Sequence, residues 1–326
     1  MEINEPNIIT IGQDRLPGWG QSKLPNINQL RDFQAIIYYG NIRTASQALF
    51  KTQPAMTKSI QELERILGVS LLSRGPQGMV LTKMGRVFEH RVNTLLNDLE
   101  RAVDELHQLS QQSQGNVVFG CSHLPALSML PSLVNKFQEE HPSSNITIIE
   151  GQLCELVTSL RLGRLDFFIG IASPEISMSE FVVEQPINAE FCIIARKDHP
   201  LSNCRSLSEL QGAKWYFPST RTGYYKELEK FIFPKGKMSK DAVIYGDSMT
   251  IGEQLVLNEN YFFIGPKAIL GISHVKDLIT VIPIKEKLPD ALYVLIHRQQ
   301  YGLTPLAKKL MDEVKAVCLK ILSEEN

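Results

Sequence analysis

The chain has 326 residues, with 34 Lys and Arg against 35 Asp and Glu and a formal net charge of −1. At roughly 100–200 residues per domain, that length predicts two or three domains with ample core. An apolar content of 43% beside 21% charged residues excludes disordered and collagen-like classes. Near neutrality excludes a uniformly basic nucleic-acid packer, but leaves room for a basic domain balanced by an acidic one.

Residues 1–25 carry Glu2, Glu5 and Asp14 and the breakers Pro6, Gly12, Pro17, Gly18 and Gly20. They have no basic stretch followed by an apolar one, so they read as an irregular extension and not a secretory signal. No run reaches the roughly 18 apolar residues of a membrane helix. The cysteines, Cys121, Cys154, Cys192, Cys204 and Cys318, are odd in number and form no C-x-x-C pair. That pattern predicts buried thiols in a reducing compartment, so the expected location is the cytoplasm, without membrane contact.

Residues 26–85 read as helical and basic, with seven Lys and Arg against three Asp and Glu, a net charge of +4. The extension carries −1, which leaves −4 for residues 86–326. Such segregation is the footprint of a nucleic-acid-binding head on a neutral-to-acidic body. Within the head, a first helix is predicted over 28–39, with Leu30, Phe33, Ile36 and Ile37 on one face, broken at Gly40. A second follows over 43–50, packing Ala45, Ala48 and Leu49. After a tight turn, Thr52 is the N-cap candidate of a third helix over 53–67, and Pro54 sits in its first turn, where a missing N–H costs nothing.

This is the spacing of a helix-turn-helix, at about 43–62, whose last helix reads base edges in the major groove with its N-terminal residues. Those residues are Gln53, Ala55, Met56, Thr57, Lys58 and Ser59. Gln suits a bidentate contact to adenine, and small apolar groups meet a thymine methyl. Met56 also fits a core position. Lys58 and Arg43 suit phosphate oxygens, and Thr44 and Thr52 lie beside them. Residues 70–82 read as strand, Gly/Pro turn and strand, a wing whose Arg74 and Gln77 are placed to reach DNA backbone or minor groove.

From 82 to 114 there is no Pro, and Gly85 is the only Gly. Phe88, Val92, Leu95, Leu99, Ala102, Leu106 and Leu109 recur at steps of 4 and 3, a heptad seam that predicts a linker helix pairing with a partner helix. From 116 onward strands and helices alternate. Strands are predicted at 116–120, 145–150, 166–171, 191–196, 214–217, 242–246, 261–265 and 292–297, and helices at 125–141, 153–162, 224–233, 249–258 and 304–322. The alternation predicts open parallel sheets covered by helices, in two sub-domains with a small-molecule cleft between them.

The run ASQALFKTQPAMTKSIQELERILGVSLLSRGPQGMVLTKMG resembles the winged helix-turn-helix of LysR-type transcriptional regulators. The resemblance rests on Ala45-Ser46, Leu49, Thr52-Gln53-Pro54-Ala55, Ile60, Leu63-Glu64, Leu67-Gly68, Leu71, Leu72, Arg74, Leu81-Thr82 and Gly85. It continues at lower specificity through Leu130-Pro131, Phe137, His141-Pro142, Gly163, Leu165-Asp166 and His199-Pro200-Leu201. EGQL at 150–153, GRLDF at 163–167 and GYYKEL at 223–228 are similar to segments of regulators of threonine degradation or aminobenzoyl-glutamate use. Two features depart from the family: the extension ahead of the head, and a wing tip, Gly75-Pro76-Gln77-Gly78, without an extra basic residue.

The resemblance implies a mixed fold: an N-terminal all-α winged helix-turn-helix over 26–85, a long linker helix over 86–114, and a two-lobed α/β effector domain over 115–326 of periplasmic-binding-protein type. Lobe I would span about 115–185 and 286–326, and lobe II about 186–285. It implies double-stranded promoter DNA as partner, a homotetramer built as a dimer of dimers, contact with RNA polymerase and allosteric control by a small, anionic metabolite. By the family's topology the effector would meet Ser122, His123 and Leu124 from one lobe. The other lobe would offer Ser219, Thr220, Arg221, Gly223, Tyr224, Asp247, Ser248 and Met249, with Arg221 as an anion fork. No catalytic motif or metal-ligand spacing is present, so neither an enzyme nor a cofactor is expected. Two other readings fit parts of the chain: a solute-binding protein made for ligand capture, and a thiol-based redox-responsive regulator.

Overall fold

A computed structural model of the chain describes residues 24–76, 78–110, 115–219, 222–236, 243–272, 276–299 and 302–323. Nearly all of the N-terminal extension, Gln77 at the wing tip, and Thr220 and Arg221 of the expected cleft lie outside the described residues. The chain divides into two compact units, one ending at Leu96 and the other starting at Asn97.

The first unit is built on three short helices, α1 (Ile27–Tyr39), α2 (Ile42–Ala48) and α3 (Gln53–Leu67). Asn26 and Gln29 form a reciprocal capping box at the start of α1, and Gly40 ends it in the left-handed backbone region. Thr52 caps α3, accepting from the Ala55 amide at 3.4 Å. Strands β1 (Leu72–Gly75) and β2 (Gly78–Leu81) form an antiparallel wing. The Met79 amide donates to the Gly40 carbonyl at 2.9 Å, tying the wing to the end of α1. A side chain at Gly78 would put its Cβ 2.5 Å from that carbonyl oxygen, at a backbone φ of +127°, so only glycine fits. The core gathers Leu30, Phe33, Ile36, Ala45, Met56, Ile60, Leu63 and Leu71, closed by Val92 and Leu96 of α4 (Lys83–Leu109).

The second unit contains two five-stranded sheets. In lobe I the order is β4 (Ser144–Glu150), β3 (Gly115–Cys121), β5 (Phe167–Ile171), β12 (Ala291–Arg298), β6 (Phe181–Ala189). In lobe II it is β11 (Ile279–Val281), β7 (Phe191–Arg196), β10 (Tyr261–Pro266), β8 (Lys214–Pro218), β9 (Val243–Gly246). Helices α5 (His123–Ser128), α6 (Leu130–Glu140), α7 (Leu153–Arg161) and α10 (Pro305–Ser323) come from the lobe I segments, and α8 (Tyr224–Ile232) and α9 (Met249–Glu259) from lobe II.

Three expectations need correction. The sheets are mixed, because β12 runs antiparallel to β5 and β6, and β7 antiparallel to β10 and β11. The first strand after each crossover, β7 in lobe II and β12 in lobe I, runs against the other strands of its sheet. The helix expected over 125–141 is two helices, broken at Met129 just ahead of Pro131, which occupies the first turn of α6. Strands β6 and β11 lie in stretches where no strand was expected.

Buried charge fixes the second half of α4 on lobe I. Arg101 pairs with Asp166 at 3.0 Å, Arg298 with Asp98 at 2.8 Å, and the Asn97 side chain donates through its Nδ2 to the Leu162 carbonyl at 2.8 Å. Asp166 also accepts from the Val118 amide at 2.8 Å. Gly163 makes room: a Cβ there would lie 2.6 Å from the Arg298 guanidinium.

Candidate nucleic-acid interface and effector cleft

On the head, Gln53, Ala55 and Lys58 are exposed along the start of α3, with Thr52 just before it. Thr57 and Ser59 are half-buried, and the Thr57 hydroxyl donates back to the Gln53 carbonyl at 2.9 Å. Arg43 and Thr44 are exposed on α2, but the Thr44 hydroxyl is taken up by Asn41, at 2.8 Å. Arg74 is exposed on β1. Met56 is not part of this surface: it is fully buried in the head core, in register with Ile60 and Leu63. Helical periodicity at i, i+4 and i+7 decides its direction, and its place in the first turn does not.

The acids of the head are spent internally. Asp32, 1% exposed, pairs with Lys51 at 2.6 Å. Glu64 accepts from the Leu71 and Leu72 amides at 2.6 and 3.1 Å, and Glu62 takes a two-pronged contact from Arg65. What faces outward is cationic and amide-bearing. One residue was missed by sequence reasoning: Phe50, 98% exposed, with a backbone φ of +53° in the turn before α3. A large apolar side chain in that region is uncommon and strained. The helical pattern had absorbed it into α2, although an apolar residue just ahead of a polar cap was the available sign.

The heptad seam of α4 divides. Phe88 and Val92 pack into the head core, which corrects their assignment to a partner helix. Leu95, Leu99, Ala102, Leu106 and Leu109 are exposed, as are Met84, Val87 and Val103.

In the second unit a cleft of about 310 Å³ lies between the lobes. Lobe I lines it with His123, Glu150, Gly151, Gln152 and Glu155, and lobe II with Pro218, Ser219, Asp247, Ser248, Met249 and Thr250. Deeper in, a much smaller cavity is lined by Ser122, His123, Leu124, Gln152, Tyr225 and Tyr293 with apolar neighbours. Ser122 is 3% exposed; its Oγ faces the Tyr293 hydroxyl without a hydrogen bond of normal geometry. Burial pushes the Tyr225 and Tyr293 hydroxyls well above their ordinary range, so both stay protonated.

His123 holds two carboxylates. Its Nδ1 lies 3.0 Å from Glu150 and its Nε2 3.0 Å from Glu253, which stands on α9 of the other lobe. Burial disfavours the charged ring, but the hydrogen bonds and charges of Glu253 and Glu150 outweigh it and hold the imidazole above its ordinary value. Ser248 caps α9, accepting from the Ile251 amide at 3.4 Å, and its carbonyl accepts from Tyr216 at 2.6 Å.

Two residues expected in the cleft serve elsewhere. The Tyr224 hydroxyl donates to the Pro289 carbonyl, and the Gly223 amide donates to Glu175 at 3.0 and 3.1 Å, so neither lines the cavities. Glu150, Gln152, Glu155, Thr250 and Glu253 were missed. The EGQL segment was the available signal for the first two.

Two family models match the chain: the bacterial regulatory helix-turn-helix protein of the lysR family over residues 27–86, and the LysR substrate binding domain over residues 110–319. Among similar proteins, the HTH-type transcriptional regulator TdcA of Escherichia coli (strain K12) is 30% identical over 292 residues, covering 90% of this chain and 93% of that protein. The HTH-type transcriptional regulator GbpR of Rhizobium radiobacter is 27% identical, covering 72% and 79%. Among solved structures, full-length CbnR complexed with its target DNA superposes with a TM-score of 0.63 at 20% identity, over 89% of this chain and 99% of that one. A full-length OxyR variant from Pseudomonas aeruginosa gives 0.62 at 16% identity, over 90% and 95%. Domain order, exposed recognition helix and two-lobed body agree with these matches: the chain belongs to the LysR family and is a DNA-binding transcriptional regulator, not an enzyme.

Proposed function

We propose that this regulator sits in the cytoplasm on promoter DNA as a dimer of dimers, and alters its contacts with DNA and RNA polymerase when a small metabolite fills the cleft. The carrying observation is the outward face of the head, where Gln53, Ala55 and Lys58 are exposed while Asp32, Glu62 and Glu64 are internally engaged. Gln53 and Ala55 supply base readout, and Arg43, Lys58 and Arg74 supply phosphate contacts that fix register. Mapping bound DNA across the genome tests this reading. Enrichment at promoters supports it, and binding without positional preference overturns it.

Self-association runs along α4. The exposed stripe of Leu95, Leu99, Ala102, Leu106 and Leu109 has the a/d spacing that a partner helix covers. Replacing Leu99 and Leu106 together by Glu is expected to yield monomers in analytical ultracentrifugation, and an unchanged assembly would remove this interface.

The effector reading rests on charge. An anionic group suits the chemistry of Arg221, which lies outside the described residues. The described wall adds Glu150, Glu155 and Asp247, which suit a cationic group. The effector is therefore read as a small metabolite carrying both charges. Thermal shift of the full chain against amino acids, simple amines and dicarboxylates checks it. Stabilisation by zwitterions is the expected result, and stabilisation by dicarboxylates alone would overturn it.

A further inference from the structure

We propose that His123 is an inter-lobe positioning residue: its charged imidazole, held in lobe I by Glu150, ties lobe I to lobe II through Glu253, so that the cleft opens as pH rises. This rests on the two-lobed cleft and on no particular effector.

The geometry suits the charged ring. Both ring nitrogens lie 3.0 Å from carboxylate oxygens. An ionised carboxylate only accepts, and a neutral imidazole has a single N–H. The neutral ring would therefore set a lone pair against one carboxylate, whereas the protonated ring donates to both. The bridge joins the two lobes: His123 opens α5 and Glu150 ends β4, both in lobe I, and Glu253 lies in the second turn of α9 in lobe II. It is also sheltered, with 17% of the His123 side chain exposed.

The groups around the ring favour its charge. Glu150 faces it from β4 and Glu253 from α9, and Glu155 on α7 and Asp247 in the turn before α9 share the lining of the cleft. The Cys121 thiol, at the end of β3, is pushed up to about 12 by burial and by Glu150, so it stays neutral. Among the described residues, the lining of the cleft includes no Lys or Arg to compete for these carboxylates. A second inter-lobe contact, Glu175 to the Gly223 amide, involves a carboxylate held below its ordinary value by that bond and by Ser173. It stays ionised through neutral pH and does not titrate with His123.

The sign follows. The folded chain holds His123 above its ordinary value of 6.5, so the bridge is fully present below 6.5 and is lost as pH rises through the raised value. Once the ring is neutral, Glu150 and Glu253 face each other without a cation between them, and the closed arrangement loses the His123 tie while the Glu175–Gly223 contact remains. An effector thus meets a closed cleft in mild acid and an open one in mild base.

The test needs no effector and no DNA, so it fails independently of the metabolite reading. In the full-length protein, NMR of labelled histidine follows the ring, assigned by its absence in His123→Gln. The imidazole is expected to titrate above 6.5, and in Glu253→Gln its midpoint drops. Hydrogen exchange, corrected for intrinsic pH effects, follows α9. Its protection is expected to fall severalfold from pH 6 to pH 8.5 in the native protein, and to be low and pH-independent in both variants. Glu253→Gln keeps the shape of the side chain and serves if His123→Gln does not fold. A midpoint that Glu253→Gln leaves in place overturns the bridge. A midpoint that moves while α9 protection stays constant overturns its positioning role.

Discussion

The head and the body handle charge in opposite ways. In the head the acids are consumed by internal partners and the cations Arg31, Arg43, Lys58 and Arg74 face outward. In the body the cations Arg101 and Arg298 are shielded in pairs, and the carboxylates Glu150, Glu155 and Asp247 line the inter-lobe cleft. Segment charges of +4 and −4 understate this contrast. One chain of net charge −1 thus carries a cationic outer face on the head and a carboxylate-lined cleft in the body.

The largest expected effect separates burial from pairing. Asp166 and Arg101 are both shielded, with side chains 9% and 16% exposed. Burial holds the Asp166 carboxyl above its ordinary range and the Arg101 guanidinium below its own, so each depends on its partner. Asp166→Asn is expected to cost about 3–5 kcal/mol in urea unfolding, because it strands Arg101 out of water. Asp32→Asn in the head is expected to cost only about 1 kcal/mol, because Lys51 turns its ammonium to solvent. Equal costs would mean that the two regions treat internal charge alike.

The next pair tests the outward face. Gln53→Ala is expected to remove roughly 1–3 kcal/mol of discrimination between operator and scrambled DNA. Lys58→Ala should weaken both DNAs alike and lower the salt slope by about 1. Titrations at several salt concentrations distinguish them. A Gln53→Ala protein that footprints its operator unchanged would end the assignment of base readout.

Much of this was legible in the sequence, where local rules act alone. Thr52-Gln53-Pro54 announces a capped helix, and the steps of the seam from Phe88 to Leu109 announce a long one. The errors arise where two rules compete or where the chain returns from a distance. Met56 lies in the first turn of α3 and also on its apolar face, and packing won. The heptad seam is continuous in sequence, yet Phe88 and Val92 meet the head core before any partner helix can. Alternating strands and helices suggested parallel sheets, because the pattern carries no sign of a strand that leaves one sheet and re-enters it from the other end. Glu150 and Glu253 become neighbours of one imidazole only once two sheets face each other, and nothing local marks them.

Phe50 offers a smaller effect. Its φ of +53° is one that Asn adopts more readily than a bulky residue. Phe50→Asn is expected to stabilise the head by about 1 kcal/mol in thermal unfolding. A loss of stability would show that the exposed ring is held by packing in the head.

The smallest expected effect is none. A redox-responsive regulator needs a reachable thiolate. Burial pushes Cys121 to about 12 and Cys318 to about 11, and Cys192 and Cys204 are buried. Cys154 is the half-buried one, and its thiol donates weakly to the Thr222 carbonyl at 3.9 Å. Burial comes first in raising it, followed by the charge of Glu155, with Glu175 adding to the effect. Burial first, and the Glu155 charge second, thus suppress the thiolate form. Mild peroxide is expected to leave the operator affinity and the mass of the Cys154 peptide unchanged. A sulfenate or disulfide at Cys154 would show that burial and Glu155 do not keep this thiol protonated.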